Sequence, residues 1–248
     1  MTDKPYTEED MKLVAYHNDP AIKANLLASL KAHAKADAII HGTYWEEGKG
    51  CAVGCTLESI GHSNHDDHMA YETKLGIPVM LARLEDTIFE GLPNGKAKAW
   101  PVRFSQAIKP GADLSLVGWK FQHWILTGSG LINDGGREDV RAAIKQCADV
   151  LVPLTKGLPV DVGVARSAVW SAESAWPAAR SAAESARYAA WSAESAARSA
   201  ESAWSAARSA ESAAWSAWPA RSAAYERMAE KLLRLLRAAK ANPIRNLP

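Results

Sequence analysis

The sequence predicts an all-α protein: a compact helical N-terminal domain followed by long Ala/Ser/Trp-rich helices that kink or turn at Pro177 and Pro219. Three observations predict it. Apolar residues recur at helical spacing through the first 160 residues. Alternation of Val, Ile and Thr at the two-residue period of a strand is scarce. The rest of the chain is dominated by Ala, the strongest helix former. Over the 248 residues, 48% hydrophobic and 23% charged content is that of a packed chain rather than a disordered one. Lys and Arg number 29 against 28 Asp and Glu, for a net charge of +1. That balance supplies no general field for nucleic acid or an anionic membrane. Three cysteines are too few for a disulfide framework and point to a reducing, cytoplasmic setting. The acidic start MTDKPYTEED carries no apolar signal segment. No run of about 18 apolar residues is present to span a membrane.

The elements follow from local chemistry. Thr7-Glu8-Glu9-Asp10 has the form of a capping box and predicts a helix through about Tyr16. Asp19-Pro20 is an N-cap followed by proline at the first helical position. From there Ile22, Leu26, Leu27, Leu30, Ala34 and Ala38 form a helical stripe that Gly42 stops. Asp66 and Asp67 can cap a short helix ending at Gly76. Pro78 opens another, with Met80, Leu81, Leu84, Ile88 and Phe89 inward, closed by Gly91 and Pro93. Further helices are expected near 95–108, 113–127 and 137–152.

Composition then changes. No Gly, His, Cys or Thr follows Gly163, and Pro153, Gly157 and Pro159 stand at the transition. Two domains are expected, 1–160 and 161–248. In the second, SAES and AARSA tokens recur irregularly, and Trp-Pro-Ala occurs at 176–178 and 218–220. The small residues allow close helix approach, with Trp side chains filling the remaining volume. Self-association or capture of a protein partner through residues 165–240 is the interaction this segment suggests.

Chemistry concentrates between residues 33 and 86. His33, Asp37 and His41 recur every four residues, and Cys51, Cys55, His62, His65, Asp66, Asp67, His68, Tyr71 and Glu72 follow. Three active readings compete with a plain one. In the first, His33 or His41 with His65, Asp66, His68 and a later acid such as Glu72 or Asp86 holds zinc or manganese, and Glu72 carries the proton. The adjacent His65-Asp66, with an earlier His and a later Asp, loosely resembles the HD-domain phosphohydrolases, which are all-helical. That resemblance implies hydrolysis of a phosphate ester or nucleotide. In the second reading Cys51, Cys55 and two of His62, His65 and His68 hold structural zinc. In the third Cys51 is a nucleophile at a helix N-terminus, its thiol activated by the dipole and Lys49. The plain reading is a polar loop whose imidazoles and acids cap helices.

Gly50-Cys-Ala-Val-Gly-Cys55, Tyr71-Glu72 with Leu75-Gly-Ile-Pro78, and Leu81-Ala-Arg-Leu-Glu-Asp86 with Phe89-Glu-Gly-Leu-Pro93 resemble a group of bacterial and phage-encoded proteins with an Ala-rich tail. The resemblance covers roughly residues 40–125 and implies a phage or mobile-element setting without a reaction. Two functions are thus expected from the sequence: a divalent-metal hydrolase, or a non-catalytic binding and scaffold protein working through its Ala/Trp-rich helices.

Overall fold

The chain enters its first long helix through a cap that aspartate and proline make together. In the computed structural model, which describes residues 14–132, 136–175, 180–194, 205, 207–213 and 221–241, the Asp19 carboxylate accepts from Ala21 N at 2.7 Å. Pro20 then starts helix α1 (Pro20–Lys35). The helix expected through Tyr16 lies partly outside the described residues. Its end is instead a short 3-10 turn, Ala15–Asn18. Tyr16, His17 and Asn18 have φ of 54°, 49° and 58°, a left-handed conformation incompatible with a continuing α-helix. The turn is held by burial of Tyr16, whose hydroxyl donates to Ser105 O at 2.9 Å.

α1 stops short of Ala38. The chain reverses at Asp37 (φ 55°), and residues 38–40 pair with Gly50: Gly50 N donates to Ala38 O and Ile40 N to Gly50 O. The apolar stripe therefore runs past the helix end because Ala38 and Ile39 are buried by this pairing. Next come α2 (Ala52–Ser59), buried from Ala52 to Leu57, and α3 (Ala70–Leu75), stopped by Gly76 at φ 60°. α4 (Val79–Gly91) follows Pro78 and ends before Pro93. Short α5 (Asn94–Ala97), α6 (Trp100–Ala107), α7 (Val117–Thr127) and α8 (Glu138–Leu154) complete the first part. The Ala-rich part forms α9 (Val162–Ala175), α10 (Arg180–Glu194), a helical piece over 207–213 (α11) and α12 (Arg221–Ala238). Pro177 and Pro219, where the sequence places kinks, lie outside the described residues. Among the described residues there are isolated bridges and no strands, so the fold is all-α.

Helices α1, α2, α4 and α6 pack together, α12 lies across α4, α6 and α7, and α7 to α10 form a second stack. The compositional change near 160 is not a break in the interior. Buried apolar residues from Ala15 to Leu236 belong to one cluster. Tyr225, Leu232, Leu233 and Leu236 of α12 are buried in it. Contact with α4 needs glycine at one point: a Cβ on Gly91 would lie 2.2 Å from the Tyr225 ring. No helix among the described residues is long and apolar enough to cross a membrane.

Candidate metal centre

Helix periodicity places two acids of α4 on one side. Asp86 and Glu90 are four residues apart, so they project from the same face. Opposite them, Cys51 is the N-cap of α2, and its Sγ accepts from Gly54 N at 3.4 Å. One ligand atom from each of Cys51, Asp86 and Glu90 lies within 4.8 Å of the others. No other group of three His, Cys, Asp or Glu side chains meets this spacing among the described residues. A cleft of about 230 Å³ opens over them, lined also by Gly42, Thr43 and Tyr44.

The third wall depends on missing side chains. A Cβ on Gly54 would fall 1.4 Å from the Tyr44 carbonyl oxygen, and one on Gly50 would fall 2.0 Å from it. Two glycines therefore let segment 42–45 lie directly on the start of α2. Cys51 N donates to Thr43 O at 2.7 Å, which fixes the register. The spacing Gly50-Cys51-x-x-Gly54 is the local signature of this close approach.

Asp86 sits at the centre of the network. It receives Tyr44 Oη at 3.3 Å and His68 Nε2 at 3.1 Å, both on Oδ2. Its other oxygen, Oδ1, faces Cys51 Sγ at 3.7 Å. His68 is 3% exposed, and its Nδ1 lies 2.9 Å from Asp66 O. Both ring nitrogens face oxygens, Asp66 O and Asp86 Oδ2, which hold the ring in place. Oδ2 of Asp86 is thus occupied by protein donors, and Oδ1 remains for the cleft. Glu90 is anchored less tightly, with Gly42 N donating to its two oxygens at 3.2 Å each. Burial, then the Asp86 charge, push the Cys51 thiol far above its ordinary range. Partial desolvation also raises the Glu90 carboxyl.

Glu85, next to Asp86, points the other way. It is wholly buried, its Oε2 accepts from Tyr71 Oη at 2.9 Å, and its Oε1 has no partner. Burial raises its carboxyl well above the usual range, which favours the protonated form.

The sequence-derived ligand set disperses. His33 Nε2 lies 3.4 Å from Ser29 Oγ, and its ring meets Trp45 edge-on. His41 Nε2 contacts Phe89 O at 3.0 Å. His65 pairs with Glu58 at 2.9 Å and His62 with Asp67 at 3.0 Å. Asp66 meets His68 through its backbone carbonyl. His33, His41, His65, Asp66 and His68 therefore do not converge as one set of ligands. Each imidazole has a partner close by, and among them only His68 bonds a cleft-lining side chain, Asp86. Glu72 accepts from Val79 N at 2.9 Å and so caps α4. Cys55 donates to Gly50 O at 3.4 Å, and among the described residues it joins no group of three ligand atoms with Cys51. Cys51 does stand at a helix N-terminus, but two carboxylates face it in place of an activating lysine or histidine.

Compared with known protein families, curated proteins and solved structures, the chain finds no match. The site is therefore read from its own geometry. Sequence reasoning missed Glu90 and Tyr44. The four-residue step from Asp86 to Glu90 carried a usable signal. Tyr44 is brought in by the glycine contacts alone.

Proposed function

We propose that the protein binds a divalent transition-metal ion through Cys51 Sγ, Asp86 Oδ1 and a Glu90 oxygen, and that this centre hydrolyses a small substrate held in the cleft. The observation that carries the reading is the convergence of three ligand atoms within 4.8 Å at the floor of an open cleft. Zinc fits best, because a thiolate in the set favours it over manganese. Three protein ligands and an open fourth position are the arrangement of catalytic zinc sites, where the ion acidifies water and polarises a substrate oxygen. The chain's own residues supply the rest. His68 and Tyr44 hold Asp86 in one orientation, as carboxylate and imidazole partners do around metal ligands. A dication held there would offset most of the charge of three anionic ligands. The Cys51 thiol must lose its proton on binding, so affinity rises with pH. Three buried free cysteines fit the reducing setting the sequence suggests.

Equilibrium dialysis of tag-free protein against zinc tests the reading. Tight binding that Cys51→Ser or Asp86→Asn abolishes supports it; binding unchanged by both removes it. A second reading, a scaffold acting through residues 165–240, is favoured by Trp170 of α9, exposed at 63%. Its test is the oligomeric state of the protein and of Trp170→Ser by light scattering. A monomer in both cases ends the self-association form of that reading.

A further inference from the structure

We infer that a second cleft, between the start of α7 and the end of α12, binds a small monoanion with an apolar tail, of the class of medium-chain carboxylates. None of its lining residues lines the cleft over Cys51, Asp86 and Glu90. Helices α7 and α12 pack along a seam where Lys231 Nζ stands 5.4 Å over the Trp124 ring and Arg227 donates to Ser129 O. Farther along it a cleft of about 300 Å³ opens between them. There Asp113 N donates to Lys240 O at 2.9 Å, tying the segment before α7 to the chain after α12.

The lining joins an apolar surface to unpaired cations. Leu116 and Val117 at the start of α7 and Leu235 and Ala238 near the end of α12 supply the apolar part. An apolar cavity of about 150 Å³ takes one benzene, so this cleft takes an apolar group of about twice that size. Lys120 and Lys240 line it as well. Among the described residues no ion pair or side-chain hydrogen bond includes either lysine. The reason lies in how α12 divides its charges. Glu226 and Glu230, four residues apart, pair with Lys96 and Arg103 on the side of α5 and α6. Arg227 and Lys231, also four apart, face α7 instead. The one acid of the lining, Asp113, is turned to Ser115, whose N and Oγ both donate to its Oδ1, at 3.0 and 2.6 Å. The start of α7 and the end of α12 meet here, so their dipoles oppose each other and the lysines set the sign of the field. Two lysines and one aspartate leave one net positive charge, which a carboxylate balances. Its tail would lie on the leucine, valine and alanine surface.

The test titrates the ¹⁵N-labelled full chain with octanoate, and in parallel with octylammonium, followed by NMR. Octanoate should saturate with a Kd of about 1 mM or tighter and shift the amides of Lys120, Ala238 and Ala239. Octylammonium, of the same tail and opposite charge, should bind at least about tenfold more weakly. Lys120→Gln and Lys240→Gln, both at exposed positions, should each weaken octanoate about threefold, and about tenfold together. Ala238→Asp, which adds an acid to the lining, should abolish binding. Equal binding of the two probes, shifts confined to other parts of the chain, or a double variant that binds like the wild type overturns the inference. A dimer by light scattering whose cleft amides shift on dilution gives the cleft to a second copy of the chain and overturns it as well.

Discussion

Replacing Glu85 by Gln should change how stability depends on pH more than it changes stability itself. The wild-type side chain is 0% exposed, with one oxygen bonded to Tyr71 and the other without a partner. Burial and the neighbouring Asp86 charge raise its carboxyl well above the ordinary carboxylate range. The folded chain therefore keeps a proton that the unfolded chain gives up above about pH 4.5. Where the native state binds more protons, stability falls as pH rises. The limiting slope for one proton is about 1.4 kcal/mol per pH unit. Over the pH range in which the folded carboxyl keeps its proton and the unfolded one has lost it, this group alone lowers stability as pH rises. Glutamine can accept the Tyr71 hydrogen bond and has no proton to lose. Any cost of burying its amide is an offset independent of pH, and Glu90, common to both chains, cancels in the difference. Urea unfolding of both proteins followed by circular dichroism at pH 5, 6 and 7 is the assay. The variant should gain on the wild type steadily as pH rises. Parallel profiles, or a variant that loses ground with rising pH, would show that Glu85 is not held protonated.

Other outcomes follow from the same coordinates. Gly54→Ala places a methyl group 1.4 Å from the Tyr44 carbonyl oxygen, a backbone atom that cannot swing aside. We expect a loss of about 3 kcal/mol or more in denaturant unfolding, with weakened metal binding. Tyr225→Ala empties the α4–α12 contact and should cost about 3–5 kcal/mol, the range for a large buried aromatic; under about 1 kcal/mol would mean that α12 is not part of the core. In the metal-free protein at pH 7.5, burial and Asp86 keep Cys51 a thiol, so iodoacetamide should label it at least about tenfold more slowly than in the urea-unfolded chain. Mass spectrometry reads this directly, and equal rates would contradict the electrostatics of the cleft.

What the sequence discloses here is local. Asp19-Pro20, Gly76 and the Gly91-to-Pro93 stop mark helix ends, because capping and backbone freedom act over a few residues. The all-α class was legible for the same reason. The site is not local. Its candidate ligands come from the N-cap of α2 and the second half of α4, beside a loop that two glycines admit. Asp86 stands out in the sequence as an acid able to complete a metal set, but Glu90 reads as one more charge on an amphipathic helix. The imidazoles mislead because they are dense in sequence. Density in a loop gives His62 and His65 nearby carboxylates to pair with, Asp67 and Glu58, rather than a shared ion. Composition changes near 160, and α12, from beyond that change, packs beside α4.

Cobalt(II) substitution tests the metal centre most directly, since its spectrum reports both sulfur ligation and coordination geometry. One cobalt ion per chain is expected, with a thiolate charge-transfer band and the strong visible absorption of tetrahedral coordination. Cys51→Ser should remove the charge-transfer band and Asp86→Asn should abolish tight binding, while His33→Asn and His65→Asn leave the spectrum unchanged. A wild-type spectrum without the thiolate band, or one that survives in Cys51→Ser, would contradict the metal reading.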